Sequence, residues 1–260
     1  MNMKYSIIFL LLLSSSLSLA QSPSLLKKGC DLPCLNKTYE VFVHMVQDSL
    51  GNTAPVSEIA EALSYTSALF DPICIDFRIC EVDSLRDYSF DSIPEVGGAE
   101  AAELQRLQHR LNRINIYVVS NLPPNVCGFA SLGQVNSAGS STIFYARGCG
   151  GETMAHEMGH LFGLLHTFEG NGEELVNGSN CATTGDLVCD TPADPYVENS
   201  DTMWVDGDCE FIFPGLDPNG EYYTPLTGNT MSYMCGGCGF TKGQYERMVF
   251  FYRKNAIKNW

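Results

Sequence analysis

The sequence predicts an α/β fold: a mixed, twisted sheet flanked by helices, then a loop-rich region and a closing helix. Three observations carry this. Strand and helix patterns alternate up to about residue 166, as layered α/β folds require. From about Gly170 to Asn229 the chain is rich in Gly, Asp, Asn and Pro and has little periodicity. An amphipathic helical pattern then resumes near Thr241.

The elements follow in order. "YEVFVHMVQ" (Tyr39–Gln47) is rich in β-formers and reads as the first strand, with His44 as a core or edge histidine. "NTAPVSEIAEALSYTSALF" reads as a helix with Thr53 as N-cap and Pro55 in the first turn. "ICIDFRI" (Ile73–Ile79) alternates as a strand. "GAEAAELQRLQHRL" is helical, with His109 expected to face solvent, and "INIYVVS" (Ile114–Ser120) is a buried strand. "CGFASLG" and "STIFYARG" are two short strands, and "TKGQYERMVFFYRKNAIK" is the closing helix. The long loop region needs staples, either disulfides or metal.

Composition narrows the class. At 45% hydrophobic and 17% charged residues, the 260-residue chain is globular rather than disordered. The N-terminus has Lys4, an apolar run from Ile7 to Leu13 and small residues ending at Ala20. This predicts a signal peptide over 1–20, a leader or pro-segment over 21–38, and a main domain over 39–260 with subdomains meeting near residue 166. After signal cleavage no membrane attachment is expected. Eleven cysteines fit an exported, disulfide-bonded protein, and the odd count leaves at least one thiol over. The net charge of −15 excludes nucleic acid as a partner. Between Arg147 and Lys242 there is no Lys or Arg, yet that stretch holds 15 of the 30 acids. Such a region invites divalent cations or a basic substrate, or is simply a solvated surface.

Three of the five histidines lie in "TMAHEMGHLFGLLHTFEG" (Thr153–Gly170). His156 and His160, four residues apart, share one helix face and can reach one metal ion. Glu157 is rotated about 100° from His156, beside the metal and free to act as a base. His166 can join only if the helix stops and turns back, and Gly163 tolerates the left-handed cap that this demands. The pattern H-E-x-x-H-x-x-G-x-x-H arises by chance in such a chain on the order of once in a hundred thousand. A buried helix with three unpaired histidines would need another account of its polar groups.

With its third histidine and glycine, this stretch resembles the metzincin clan of zinc endopeptidases. "GNTMSYMC" (Gly228–Cys235) is similar to the clan's methionine turn, with Met231 beneath the metal and Tyr233 able to swing toward it. "HTFEG", "GDLVCDTPADP" (Gly185–Pro195) and "FTKGQYERM" (Phe240–Met248) resemble the pappalysin (cytophagalysin) family, in particular its small secreted ulilysin-like members. The resemblance is firm from about Cys127 to Met248 and implies a metzincin-type catalytic domain standing alone. It also implies calcium near the Gly185–Pro195 loop, where Asp186 and Thr191 match; the alternative is a loop held by disulfides of the Cys181–Cys238 stretch alone. Two departures stand out. Relatives preferring basic side chains after the scissile bond carry an acid before the cysteine following the methionine turn, where this chain has Gly236-Gly237. Cys189 stands where the family's loop more often has no cysteine.

The function expected is a secreted, monomeric zinc endopeptidase acting on protein or peptide. His156, His160 and His166 would hold zinc, Glu157 would deprotonate a zinc-bound water, and Tyr233 would stabilise the oxyanion. Cys30 or Cys34 could ligate zinc as thiolate and impose latency, or simply form disulfides. Two rivals differ in class: a non-catalytic binding module with structural zinc, and a zinc amidase on a non-peptide substrate. Retention of Glu157 argues against the first. Asn36 and Asn177 lie in N-x-Ser/Thr sequons.

Overall fold

A computed structural model describes residues 32–135 and 140–254. The signal peptide and Cys30 lie outside the described residues. The elements run β1 (Lys37–Val46), α1 (Val56–Phe70), β2 (Ile75–Leu85), α2 (Ala99–Gln108), β3 (Ile114–Val119), β4 (Gly128–Ala130), β5 (Thr142–Ala146), α3 (Gly151–Leu161) and α4 (Lys242–Lys254). The α/β expectation holds, and the sheet is mixed as expected.

Strand order is β2-β1-β3-β5-β4, parallel except for the antiparallel edge strand β4. Every residue of β3 and β5 is buried, because elements pack on both faces. One face carries α1 and α3 over a core that includes Val41, Val43, Ile116, Ile143, Met154 and Met158. On the other face α2 covers Val46, Tyr117, Val119 and Phe144. Helix α4 closes the first core: Tyr245 and Met248 are buried in it, and Tyr245 Oη donates to Leu69 O at 2.6 Å. The two predicted subdomains therefore share one core.

Three local expectations are corrected. Thr53 is not the cap of α1; Pro55 occupies that position with no side-chain cap hydrogen bond, its fixed φ of −67° leading into the helix. His109 ends α2 rather than facing solvent from it: it is half-buried, with Nε2 3.4 Å from Asn115 Nδ2. Strand β2 runs to Leu85, six residues past the alternating stretch, because it stays paired with β1 through a register shift at Val41/Phe42. At the other end of the chain, α4 begins with a capping box that the sequence displays. Thr241 Oγ1 accepts from Gln244 N at 3.2 Å, and Gln244 Oε1 accepts from Thr241 N at 2.9 Å.

Disulfides join Cys34–Cys74, Cys127–Cys149, Cys181–Cys189 and Cys209–Cys235. Cys34 is thereby removed as a thiolate ligand: it staples the segment before β1 to the turn before β2. Lys37 and Thr38 form the first two residues of β1.

His44 is fully buried, with Nε2 2.9 Å from Asn115 Oδ1 and its ring stacked on Tyr117. Burial pushes its pKa down to about 4, Arg110 and His109 adding to the effect and Asp83 opposing it. The unfolded chain takes up a proton that the folded chain refuses. His44 should therefore cost up to about 3 kcal/mol of stability as pH falls from 6.5 to about 4. Urea titrations across that window should show a shallower loss in His44→Gln; equal slopes would disprove the assignment.

Candidate active site

Helix α3 presents His156 and His160 one turn apart from its buried side. It ends in a Schellman motif: Gly163 N donates to His160 O at 2.8 Å and Leu164 N to Gly159 O at 3.0 Å. Gly163 has φ of 89°, and a β-carbon there would overlap the Phe251 ring. The chain reverses at this residue and delivers His166. The three Nε2 atoms then lie 3.0–3.1 Å from one another. Tetrahedral zinc ligands at Zn–N of about 2.0–2.1 Å stand about 3.3 Å apart, so the spacing suits zinc closely.

The outer nitrogens fix the tautomers. His156 Nδ1 donates to Thr230 O at 2.7 Å and His160 Nδ1 to Leu164 O at 2.8 Å, which turns the Nε2 lone pairs inward. Burial, with help from the neighbouring imidazoles, drives His156 well below its usual pKa and His166 to about 3; burial lowers His160 too. Three neutral imidazoles converging on one point form a donor set for a borderline-soft cation. Among the described residues this is the one such group of three or more metal-binding side chains.

Glu157 is buried beside them, and its Oε2 has no hydrogen-bond partner among the described residues. Burial pushes its pKa up to about 8, a shift that a neighbouring dication would oppose. Gly128, at the start of β4, makes room for this carboxylate: a β-carbon would lie 2.8 Å from Glu157 Cγ and 3.1 Å from Oε1. The sequence reading missed Gly128; the glycine opening "GFA" was its only signal.

Met231 is fully buried beneath the histidines, and a β-carbon on Gly159 would come within 2.6 Å of its Sδ. Its turn is clamped from several sides. Met231 N donates to Asn229 Oδ1 at 2.8 Å, Asn229 Nδ2 to Gln244 Oε1 at 2.9 Å, and Thr167 N to Met231 O at 3.1 Å. The Tyr233 ring lies 4.7 Å from that of His166 and 5.4 Å from that of His156, yet is 47% exposed. Burial and then the Glu157 charge raise its pKa, keeping the phenol protonated. A cleft of about 470 Å³ opens here, walled by Gly128, Glu157, Tyr196, Tyr233 and Gly236-Gly237.

The Gly185–Pro195 loop divides its carboxylates among three tasks. Asp190 accepts from Thr241 Oγ1 and Gly243 N, both at 2.8 Å, anchoring the start of α4. Asp194 accepts from Thr167 Oγ1 at 2.6 Å, bracing the residue after His166. Asp186 receives Val188 N at 2.9 Å, but its Oδ2 has no partner among the described residues, and nor does Glu174 Oε2. Burial, aided by the Glu174 charge, pushes Asp186 up to about 8, and burial, aided by the Asp194 charge, pushes Glu174 up to about 7. Thr191 is buried with its Oγ1 3.5 Å from Thr241 Oγ1.

Comparison with known proteins agrees with this geometry. Residues 56–167 match the M12B reprolysin-like metallopeptidase family, and residues 149–252 match the family of pregnancy-associated plasma protein-A. Both matches include the three histidines. Neither match spans half of the chain; together they make it similar to the metzincin metallopeptidases, in particular to their pappalysin branch. An extracellular metalloprotease of Neurospora crassa is 30% identical over 192 residues, covering 65% of this chain and 60% of that protein. One from Sordaria macrospora is 28% identical over 241 residues, covering 83% and 76%. The fold resembles mature mirolysin of Tannerella forsythia, solved with a cleaved peptide, at a TM-score of 0.58 and 19% identity over 85% of this chain and 95% of that one. Metzincins are zinc metallopeptidases, and the three-histidine group fits that ion.

The reversal at the end of α3 makes Gly163 a sharp test. Gly163→Ala should cost about 1–2 kcal/mol for the left-handed backbone, with more from the Phe251 overlap. Zinc content after dialysis should fall with it; an unchanged melting temperature and full zinc would contradict the geometry.

Proposed function

We propose that the chain is a secreted zinc endopeptidase with residues 39–260 as its catalytic unit, His156, His160 and His166 as zinc ligands and Glu157 as general base. One observation carries the reading: a buried carboxylate with a partnerless oxygen lines the same cleft as His156, one of three converging neutral imidazoles. A structural zinc site has no use for that carboxylate, which costs free energy to bury unpaired. Export is supported by the four disulfides and by the extracellular naming of the relatives.

Zinc, when bound, supplies a Lewis acid that acidifies water and polarises the scissile carbonyl. Glu157 takes the water proton on a carboxylate oxygen and returns it to the leaving amine. The Tyr233 phenol donates a hydrogen bond to the oxyanion as charge develops, and its exposed position leaves it free to move there. Strand β4 is the sheet edge beside Glu157, so an extended peptide can add antiparallel to it.

Glu157→Ala should retain zinc and fold while losing about 10²–10⁴-fold in cleavage of a denatured protein mixture. A chelator should abolish wild-type cleavage, and fragments should be mapped by mass spectrometry. Near wild-type turnover by the variant would sink the assignment.

Calcium is the second cofactor we propose, held near Asp186 and Thr191 with Glu174 as a further ligand. Its support is the two partnerless buried carboxylate oxygens in one acidic pocket. Saturating calcium should stabilise the protein by about 2.7 kcal/mol at a hundredfold excess over its dissociation constant. Asp186→Asn should remove that gain in a thermal melt, whereas an equal gain in both proteins would place the ion elsewhere.

A further inference from the structure

Residues 201–213 form a short hairpin outside the catalytic machinery. Val205 pairs with Phe211 across an antiparallel bridge, and Ile212 N donates to Trp204 O at 2.9 Å. Two anchors hold it against the cleft wall. Trp204 is buried with its ring 5.6 Å from Tyr196, which lines the cleft. Cys209 at the tip is bonded to Cys235, two residues beyond Tyr233.

Alternation about the 205/211 bridge puts Met203, Val205 and Phe211 on one side, while Phe213 packs on the buried Trp204 with ring centroids 4.7 Å apart. None of the three residues on that side is buried, and Met203 is 71% exposed. Exposed acids flank this apolar face: Asp201, Asp206, Asp208 and Glu210. The nearest cations in sequence are Arg147 and Lys242. A rigid apolar face ringed by one sign of charge and tied to a cleft favours a partner bringing apolar side chains and positive charge.

We propose that this hairpin face docks a lysine- or arginine-bearing apolar segment of the protein substrate, at a distance from the scissile bond. The proposal rests on the peptidase reading, because substrate is the partner that the cleft must already admit. Docking here lowers KM for long substrates and leaves short peptides unaffected.

The test uses three synthetic peptides sharing one cleavable sequence: bare, with an amphipathic lysine/leucine tail, and with a glutamate/leucine tail. The lysine/leucine tail should lower KM about tenfold, which corresponds to about 1.4 kcal/mol, and the glutamate/leucine tail should not. Raising salt should shrink the advantage. The double variant Met203→Ser with Phe211→Ser should lose it while cleaving the bare peptide at the wild-type rate. Separately, fluorescence anisotropy should show the lysine/leucine tail alone, lacking a cleavable sequence, binding Glu157→Ala protein and not the same protein carrying the two serines. Equal KM values, or tail binding that survives the serine changes, would overturn the proposal. If bare peptide is not cleaved by wild type but tail binding behaves as expected, the peptidase reading fails and the docking face stands as a binding surface.

Discussion

One backbone constraint supports everything else in the site: the left-handed residue that ends α3. A regular helix carries His166 about 9 Å beyond His160 along its axis, out of reach of a common ion. The reversal at Gly163 cancels that displacement within three residues. It also frees Leu164 O to orient His160, so one turn supplies the third imidazole and fixes the second. The Phe251 ring packs where a side chain on residue 163 would project, so α4 holds the turn in place. Arg247, also on α4, donates from Nε to Gly163 O at 2.7 Å. The last helix of the chain thus secures a loop it follows by some eighty residues.

What the sequence revealed depended on whether the information was local. Helical spacing at His156 and His160 and the glycine at 163 operate within a few residues, and each appears in the structure as read. Gly128 and Glu157 meet only because β4 lies against α3, a contact with no sequence periodicity behind it. Cysteine pairing is likewise tertiary: nothing in the spacing of Cys34 and Cys74 distinguishes a staple from a thiolate ligand, and only the β1/β2 register brings them together. His109 was read by helical phase, but its helix had already ended at Gln108, and Asn115 from the next strand claimed the ring's side.

The loop-rich half shows how a chain can be ordered without regular secondary structure. Backbone groups that a sheet would satisfy are met here by acidic side chains. Asp206 Oδ1 accepts from Asp208 N and Glu210 N, and Asp217 Oδ1 from Asn219 N and Glu221 N. Each such carboxylate brings charge as well as acceptors, which is why so many acids gather where no Lys or Arg is present. Order gained this way carries self-repulsion, and the Cys181–Cys189 and Cys209–Cys235 disulfides offset part of it by restricting the unfolded chain.

That arrangement bears on how chemistry and recognition divide. The zinc-binding imidazoles, Glu157 and Met231 sit in buried surroundings set by the sheet, α3 and α4, where a displacement of about an ångström would be costly to catalysis. Tyr233, Tyr196 and the hairpin sit on the acidic loops, joined by ring contacts at 5.6–6.0 Å that permit small movements without breaking covalent ties. Cys209–Cys235 is the covalent tie within the loop layer, since it fastens the hairpin tip to the segment carrying Tyr233. On the proposed roles, a substrate gripped by the hairpin would pull on the same short segment that carries Tyr233. Recognition at a distance and oxyanion stabilisation would then meet in the six residues from Thr230 to Cys235.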